Sequence, residues 1–367
     1  MTSRFHAPYV QWAATRTSAR FDLAGSAVLA PWAEAPQAAG DDMALAGEHP
    51  AGFTPLLRPI SARYGVPADH VTTAHGTTGA NFLVCAALLE AGDEVLVERP
   101  GYDALHGGPQ LVGAVTTPFT RDFDAGFQLD PAGVRRAITP RTRLIVITNP
   151  HNPSGVVAES DAIDEIGEIA RHHGVHVLVD EVYMDASAAP ASSAPGIALT
   201  AATRGDVFIA TSSLSKSYGL APLRCGWILS SPAVAGRLRR TRAIVEGGAS
   251  LVAERVAARA FHQIDALLAR SRELLDVNRA VLAAFLQSRP ELEWCDPGGG
   301  TMVFPRIRTV PDSSEFVQRL LTLRETAVVP GHLFGAPAHF RIGVGGDTQA
   351  LRQGLAAIGS ALTAREW

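Results

Sequence analysis

The chain has 367 residues, a mass of 38.7 kDa, 47% hydrophobic and 19% charged residues, and a formal net charge of −4. These values are typical of a globular protein with a sizeable core and one large domain or two ordinary ones. The mildly acidic balance disfavours nucleic acid and anionic membranes as partners, and the sequence has no apolar run long enough to span a bilayer.

The N-terminus and the cysteines indicate the compartment. The first residues, MTSRFHAPYV, lack the apolar core of a signal peptide. The three cysteines, Cys85, Cys225 and Cys295, are widely spaced and odd in number. This pattern predicts small buried thiols in a reducing compartment, and neither a disulfide framework nor a zinc site. We therefore expect a cytoplasmic protein that binds no metal.

Strand-like and helical segments alternate through the middle of the chain. The predicted strands are residues 94–98, 143–148, 175–180, 206–212 and 225–230, and the predicted helices are residues 80–92, 161–174 and 232–244. This alternation predicts an α/β domain whose mainly parallel sheet is covered by helices on both faces.

The C-terminal third has a different pattern. A long helical region at residues 250–286 is followed by short strands near ELEWC and TMVFPRI, a helix near SSEFVQRLLTL, a strand at HFRIGVG and a closing helix. This order predicts a smaller α+β domain. Residues before about Ala44 lack clear periodicity, and we assign them to the same domain. The predicted boundaries are 45–235 for the large domain and 1–44 with 236–367 for the small domain.

The basic residues single out one position. The chain contains 32 lysines and arginines, of which Lys216, in SSLSKSYG, is the only lysine. Arginine serves a surface charge or an ion pair as well, but only a lysine amine can lose its proton and form a Schiff base with a carbonyl. Lys216 is therefore a candidate catalytic residue; the alternative is a chance survivor of compositional drift.

A carboxylate and a phenol follow one of the predicted strands. Asp180 ends the strand in VLVDEVY, where ligand sites of open α/β sheets lie, and Tyr183 comes three residues later. If Lys216 carries an aldehyde cofactor, Asp180 can pair with a protonated pyridine nitrogen, and Tyr183 can reach the neighbouring ring oxygen. Taken alone, Asp180 is more simply explained as the cap of the next turn.

The loop TNPHNPSG also follows a predicted strand. It holds Asn149 and Asn152 between prolines that stiffen the backbone, so that an asparagine side chain can be held as a fixed donor or acceptor. Read alone, the loop is an ordinary turn with a side-chain cap.

Other residues are suited to a phosphate. In HGTTGAN, a helix N-terminus with Thr77 and Thr78 offers N–H groups and hydroxyls to an anion. Ser213 lies three residues before Lys216 and Arg224 eight after it, and both can serve the same phosphate. The glycine-rich turn by itself is a weak signal.

Arg341 lies in the predicted strand HFRIGVG between apolar residues. A charge there is costly to bury unless it is paired, so it should face a cleft or an anion. A guanidinium binds a carboxylate through two parallel hydrogen bonds, and the alternative is a structural salt bridge.

Taken in chain order, these segments resemble a known family. The order GTTGA, PGY, NPHNPSG, DEVY, SLSK with its following arginine, and FRIGVG is similar to that of the class I/II aminotransferases, from about Gly52 to the C-terminus. The resemblance implies fold type I, with a mainly parallel sheet of seven-stranded type between helices and a smaller α+β domain. It also implies pyridoxal 5′-phosphate as cofactor, an amino acid and a keto acid as small-molecule partners, and a homodimer.

The resemblance also assigns roles at the cofactor ring. Lys216 matches the Schiff-base lysine, Asp180 the partner of the pyridine nitrogen, and Asn152 and Tyr183 the groups that hold the ring oxygen. Tyr102, in RPGYDAL, takes the place of the aromatic residue that stacks on the ring.

The resemblance also assigns residues to the substrate and to the cofactor phosphate. Arg341 matches the arginine that holds the substrate's α-carboxylate, with Asn152 beside it, and Gly25 and Ser26 match a segment that covers the substrate. The positions that match phosphate-binding residues are Thr77, Thr78, Ser213 and Arg224.

The sequence departs from the family pattern at several places. Family members often have a tyrosine that reaches the partner's phosphate where this chain has AGEHPAG, with Gly47 and His49, and His49 is a candidate replacement. Gly79 stands where a polar or acidic residue is common. His75 and His151, beside the cofactor loops, are either loop structure or substrate contacts.

Three functions remain open at the level of sequence. The first is an aminotransferase acting on an L-amino acid and a 2-keto acid. The second is a lyase, decarboxylase or amino-acid cyclase on the same fold, because all of these act at the substrate Cα; a carboxylate held by Arg341 disfavours simple decarboxylation. The third is a non-enzymatic cofactor-sensing regulator, which would need a DNA-binding module for which we expect no room before Gly52.

Overall fold

The computed structural model describes residues 7–30, 40, 52–187 and 197–367. The helices in these ranges are α1 (Pro8–Thr15), α2 (Thr54–Tyr64), α3 (Gly76–Leu88), α4 (Ala104–Leu111), α5 (Pro131–Ala137), α6 (Ser160–His173), α7 (Pro232–Val245), α8 (Leu251–His262), α9 (Ile264–Gln287), α10 (Ser314–Arg324) and α11 (Thr348–Thr363). The strands are β1 (Phe21–Asp22), β2 (Val71–His75), β3 (Glu94–Arg99), β4 (Val115–Thr120), β5 (Thr142–Thr148), β6 (His176–Asp180), β7 (Phe208–Ser213), β8 (Cys225–Leu229), β9 (Leu292–Glu293), β10 (Met302–Val303), β11 (Arg306–Ile307), β12 (Thr326–Ala327), β13 (Val329–Pro330) and β14 (Phe340–Gly343).

Seven strands form the central sheet in the order β2–β8–β7–β6–β5–β3–β4. Strand β8 runs antiparallel to both of its neighbours, and the other pairings are parallel. The predicted mainly parallel sheet of seven strands is confirmed. In such a sheet the carboxyl ends of the parallel strands lie along one edge, where ligand sites form.

Helices cover both faces of this sheet, which explains why its middle strands are apolar at nearly every position. Alternate residues of β5 point to opposite faces: Leu144 and Val146 pack towards α3, α4 and α7, whereas Ile145 and Ile147 pack towards α5 and α6. At about 25 cal/mol per Å² of buried apolar surface, these two layers are a main source of the stability of the large domain.

The chain ends come together in the smaller α+β part. This part contains α9, α10 and α11 and an antiparallel sheet of β10, β14 and β13. Strand β1 pairs in parallel with β12. This pairing joins residues 21–22 of the N-terminal segment to the C-terminal third. The exact domain boundaries stay a prediction, because residues 31–39 and 41–51 lie outside the described ranges.

Two helical segments add detail to the predicted pattern. The predicted helical region at residues 250–286 consists of two helices, α8 and α9, that meet at Gln263, whose backbone leaves the helical conformation. Residues 8–15, expected without periodic structure, form α1. Its signal is weak because the helix has two turns and no fully buried residue. None of the described helices is long and apolar enough to cross a bilayer.

A buried ion pair joins three strands near the site edge. Arg121, directly after β4, donates to the Glu98 carboxylate of β3 at 3.0 Å and to the Thr148 carbonyl of β5 at 3.2 Å. The other Glu98 oxygen accepts the Thr148 N–H at 2.8 Å. Burial raises the pKa of Glu98, and Arg121 opposes this shift. The pair therefore holds the carboxyl ends of β3, β4 and β5 in register.

We expect Arg121→Met to lower the free energy of unfolding by about 3–5 kcal/mol, because it leaves the Glu98 carboxylate buried without a counter-charge. The matched control is Arg135→Met, which breaks the solvent-exposed pair with Glu165 and should change stability by less than about 1 kcal/mol. Urea unfolding followed by circular dichroism measures both. Equal effects of the two substitutions would contradict this role of the buried pair.

Candidate active site

The residues predicted to bind the cofactor come together at the carboxyl edge of the sheet. They follow β2, β3, β5, β6 and β7, and Arg224 precedes the antiparallel β8, whose start lies at the same edge. Together they surround one cleft, lined by Tyr9, Ser26, Thr77, Thr78, Tyr102, Thr148, Asn152, Asp180, Val182, Tyr183, Ser215, Lys216, Ala221 and Arg224.

Lys216 lies in the loop after β7 and points at a serine from the N-terminal segment. Its Nζ donates to the Ser26 Oγ at 3.0 Å, and the Tyr183 hydroxyl donates to the same oxygen at 3.2 Å. Burial lowers the pKa of Lys216 from its usual 10.5 to about 8, and the charge of Arg341 acts in the same direction. The amine is therefore ready to lose its proton near physiological pH.

Asp180 ends β6 at the floor of the cleft. Its carboxylate accepts hydrogen bonds from Asn81 Nδ2 at 2.9 Å and from the Val182 N–H at 3.2 Å. Burial raises the pKa of Asp180 to about 6, although both hydrogen bonds oppose this shift. The carboxylate is therefore negative at neutral pH, and a cationic partner would hold it so more firmly.

Asn81 is a site residue that sequence reasoning missed. It lies on α3 one turn after Thr77, and the Thr211 hydroxyl donates to its Oδ1 at 2.7 Å, which turns its Nδ2 towards Asp180. The available signal was its rarity, since the chain has four asparagines, two of them in the loop already singled out.

A second group of polar residues surrounds the N-terminus of α3. The Thr77 hydroxyl donates to the Ser213 Oγ at 2.8 Å, and Arg224 Nη1 donates to the Ser215 Oγ at 3.3 Å. Ser213 is fully buried behind Thr77, whereas Ser215, which sequence reasoning missed, lines the cleft. A side chain at Gly76, where φ is +68°, would collide with the Arg224 guanidinium. Glycine there leaves room for the arginine beside the helix N-terminus.

Tyr102 and Asn152 also line the cleft that holds Asp180 and the N-terminus of α3. The loop after β3 brings Tyr102 to the wall of the cleft, where burial raises the pKa of its phenol. The Asn152 Oδ1 accepts from Arg341 Nη1 at 2.8 Å, which leaves the amide N–H groups as donors towards the cleft.

Arg341, on β14, has no exposed surface. Its Nη2 donates to the Tyr9 hydroxyl at 2.8 Å and to the Ala24 carbonyl at 2.9 Å, and its guanidinium lies 5.0 Å from the centre of the Phe334 ring. Among the described residues, no carboxylate lies within ion-pair distance of Arg341. A buried cation without a counter-charge is costly, so this arrangement indicates a site for an anion.

The remaining candidates lie outside the cleft lining. His151 is fully buried: its Nε2 lies 2.8 Å from the Pro100 carbonyl and its Nδ1 2.7 Å from the Ser154 hydroxyl. Burial lowers the pKa of His151 well below its usual value, so the ring is neutral and supports the loop that carries Asn152. The His75 side chain is half exposed and faces Glu246 at 3.7 Å.

Two further candidates belong to the N-terminal part. Gly25 is exposed, and its carbonyl lies against Gly343. Of Gly25 and its neighbour Ser26, only Ser26 lines the cleft. His49 and Gly47 lie outside the described residues. No group of three or more metal-ligating side chains occurs within the described ranges.

The seven-stranded sheet between helices is that of the fold type I pyridoxal-phosphate enzymes. Residues 22–358 match the family model of aminotransferase class I and II. The chain therefore belongs to the class I and II aminotransferase family, whose cofactor is pyridoxal 5′-phosphate.

Individual relatives differ in the reaction that their names give. Capreomycidine synthase of Streptomyces vinaceus is 34% identical over 310 residues, which are 84% of this chain and 78% of the relative. The crystal structure of a PLP-dependent aminotransferase from Streptococcus suis 89-1591 has a TM-score of 0.87 and 27% identity over 97% of this chain and 96% of that one. The PLP-dependent cyclase OrfR has a TM-score of 0.84 and 26% identity over 98% of this chain and 97% of that one.

The cleft fits pyridoxal 5′-phosphate at both ends. Asp180 is a buried carboxylate with hydrogen-bond donors but no bonded cation among the described residues, as a partner of a pyridine N–H should be. Within the same ranges no carboxylate pairs with Arg224, which lies beside the N-terminus of α3 and the hydroxyls of Thr77 and Ser215, as a phosphate site requires. The roles of the individual residues stay predictions.

The low pKa of Lys216 can be measured directly because the chain has no other lysine. In the cofactor-free protein, we expect the rate of acetylation of Lys216 in a short pulse of acetic anhydride to be half-maximal near pH 8. In the urea-unfolded chain the pH of half-maximal acetylation should be near 10.5, the ordinary pKa of a lysine. Peptide mass spectrometry separates Lys216 from the N-terminal amine. Identical profiles for the folded and unfolded chains would contradict the effect of burial.

Proposed function

We propose that the protein is a pyridoxal-phosphate-dependent aminotransferase that moves an amino group between an L-amino acid and a 2-keto acid. The observation that carries the proposal is Arg341, a fully buried cation without a carboxylate partner among the described residues, joined through Asn152 to the cleft that holds Lys216. A site with a reactive amine and a carboxylate-binding guanidinium suits a substrate that carries both an amine and a carboxylate.

Lys216 is proposed as the nucleophile and the general base. Bound in the cleft, pyridoxal phosphate supplies an aldehyde that condenses with amines and a ring that accepts the electron pair released at Cα. With a pKa of about 8, the Lys216 amine is partly unprotonated at neutral pH and can first hold the aldehyde. When it is not bonded to the aldehyde, the Lys216 amine could take the proton from the substrate Cα, with Ser26 hydrogen-bonded to its Nζ.

The other residues are proposed to hold charge in place. Asp180 would keep a proton on the ring nitrogen, because its carboxylate is buried and negative. Asn152 and Tyr183 would donate to the ring oxygen, and Tyr102 would cover the ring face. The helix N-terminus, Arg224 and the hydroxyls of Thr77, Thr78 and Ser215 would hold the phosphate, and Ser213 would orient the Thr77 hydroxyl from behind.

A cyclase or lyase is the second candidate function. The similarity to capreomycidine synthase and to the cyclase OrfR favours it, because both match over most of this chain. Such an enzyme uses the same amine, ring and carboxylate sites, so that only the fate of the substrate distinguishes the two functions. The sensor function is disfavoured by Lys216, whose proximity to Ser26 and Tyr183 suits proton transfer at the substrate.

Single-turnover chemistry separates the candidates. Each of a panel of amino acids is mixed with the loaded enzyme in the absence of keto acid. An aminotransferase should release one keto acid per chain, convert the cofactor to its amine form and then stop until pyruvate or 2-oxoglutarate is added. The matched control, Lys216→Arg, keeps the charge and should convert nothing. Continued turnover without an acceptor, with the cofactor still an aldehyde, would contradict the aminotransferase function and favour the cyclase or lyase.

A homodimer is the proposed working unit. The side chain of Ile244 at the end of α7 is 86% exposed, and Val245 beside it is 49% exposed. The next residue, Glu246, approaches His75 at the N-terminus of α3, so this apolar surface adjoins the phosphate end of the cleft. The apolar sequence of residues 249–261 also suggests an interface segment, but α8 buries Ala257 and Phe261 in the chain's own core.

We expect sedimentation at micromolar concentration to give about 77 kDa, twice the 38.7 kDa of one chain. Ile244→Asp should shift the equilibrium towards monomer, since it places a charge in the proposed interface. Leu323→Asp is the matched control, because Leu323 is also exposed, at 66%, but lies on α10 in the small domain. A monomer with full activity would overturn the proposal.

A cytoplasmic location is proposed on the basis of the thiols. Cys85, Cys225 and Cys295 are all unpaired, and burial raises the pKa of Cys85 to about 12, which makes that thiol unreactive. Unpaired cysteines suit a reducing compartment. Recovery of the protein in an extracellular fraction after cell fractionation would contradict this location.

A further inference from the structure

The hydrogen bonds of Arg341 point to one more residue at the carboxylate site. A carboxylate is gripped best by two N–H groups of one guanidinium. In Arg341, Nη1 is bonded to Asn152 and Nη2 to Tyr9 and to the Ala24 carbonyl, and Nε has no partner among the described residues. An incoming carboxylate therefore reaches Arg341 next to the side chains of Tyr9 and Asn152.

Tyr9 lies inside the cleft although it comes from the N-terminal helix. Its ring lies edge-on to that of Tyr102, with 5.5 Å between centroids, and 5.2 Å from that of Phe334. It lines the same cleft as Lys216. The phenol oxygen accepts from Arg341 Nη2 at 2.8 Å, and a hydroxyl that accepts one hydrogen bond can still donate its own proton.

The backbone of α1 is fixed independently of any ligand. The N–H groups of Tyr9 and Val10 both point at the Asp103 Oδ2, at 2.7 and 3.4 Å. Asp103 directly follows Tyr102, so the loop that provides one wall of the cleft also anchors the helix that carries Tyr9. The phenol is therefore held in place before a substrate arrives, which limits the entropic cost of using it.

We propose that Tyr9 is a further substrate-binding residue, whose hydroxyl donates a hydrogen bond to the α-carboxylate held by Arg341. The proposal rests on the function proposed above, in which Arg341 binds that carboxylate. A carboxylate oxygen placed against Arg341 Nη2 lies next to the phenol that this nitrogen already contacts. Neutral donors add strength to a guanidinium–carboxylate pair because the acceptor is charged.

The test uses two probes that each carry half of an amino acid. Propionate has the carboxylate alone, and propylamine has the amine alone. Both are titrated into the loaded enzyme and followed through the absorbance of the bound cofactor, which responds to the charge around Lys216. Tyr9→Phe removes only the hydroxyl and keeps the ring contacts with Tyr102 and Phe334. We expect the dissociation constant of propionate to rise about tenfold and that of propylamine to stay unchanged.

Two control variants make the outcomes distinct. Val10→Ala, on the same helix but at a side chain that is 40% exposed, should leave the binding of both probes unchanged. Arg341→Gln should abolish propionate binding and spare propylamine. A propionate constant within twofold of the wild type in Tyr9→Phe, with binding lost in Arg341→Gln, would overturn the role of Tyr9 alone. If Arg341→Gln still bound propionate, the role of Arg341 as the carboxylate site in the proposed function would be contradicted.

A change in the binding of both probes would have a different cause. If Tyr9→Phe weakened propionate and propylamine alike, the phenol would act on the cofactor or on the fold. That result would also overturn the proposal.

Discussion

The constraint on which the site depends is the common direction of the strands in the central sheet. Because β2 to β7 run the same way, their carboxyl ends deliver segments far apart in the chain to one edge. The buried pair of Glu98 and Arg121 fixes three of these ends relative to one another. The cleft is therefore rigid on the side of the sheet, and the small domain and α1 complete it from the other side.

The balance of charge in the cleft is the second feature that organises the site. Lys216, Arg224 and Asp180 line the cleft, and a third cation, Arg341, lies buried behind Asn152. The excess of positive charge helps to lower the pKa of Lys216, since Arg341 and Arg224 both disfavour its protonated form. A ligand that brings two anionic groups, a phosphate and a carboxylate, neutralises this excess.

Much of the fold and of the site could be predicted because the information is local. Lys216 and Asp180 each lie in a short segment at the end of an apolar strand, and strand–helix alternation fixes where such ends meet. Asn81 and Ser215 were missed because their roles depend on partners across the sheet, which no local pattern records. Tyr9 was missed because its helix has two turns and is held by a carboxylate 94 positions away, so the stretch lacks the periodicity of a longer helix.

The arginine-rich composition has a consequence for spectroscopy. Since the chain has a single lysine, isotopic labelling with ¹³C at the lysine Cε would give one side-chain resonance in the whole protein. That resonance needs no assignment and belongs to the amine that lies against Ser26. Its chemical shift would report the charge of that amine in the intact enzyme, with each ligand, at every pH. The residue proposed as the catalytic amine thus carries its own spectroscopic reporter.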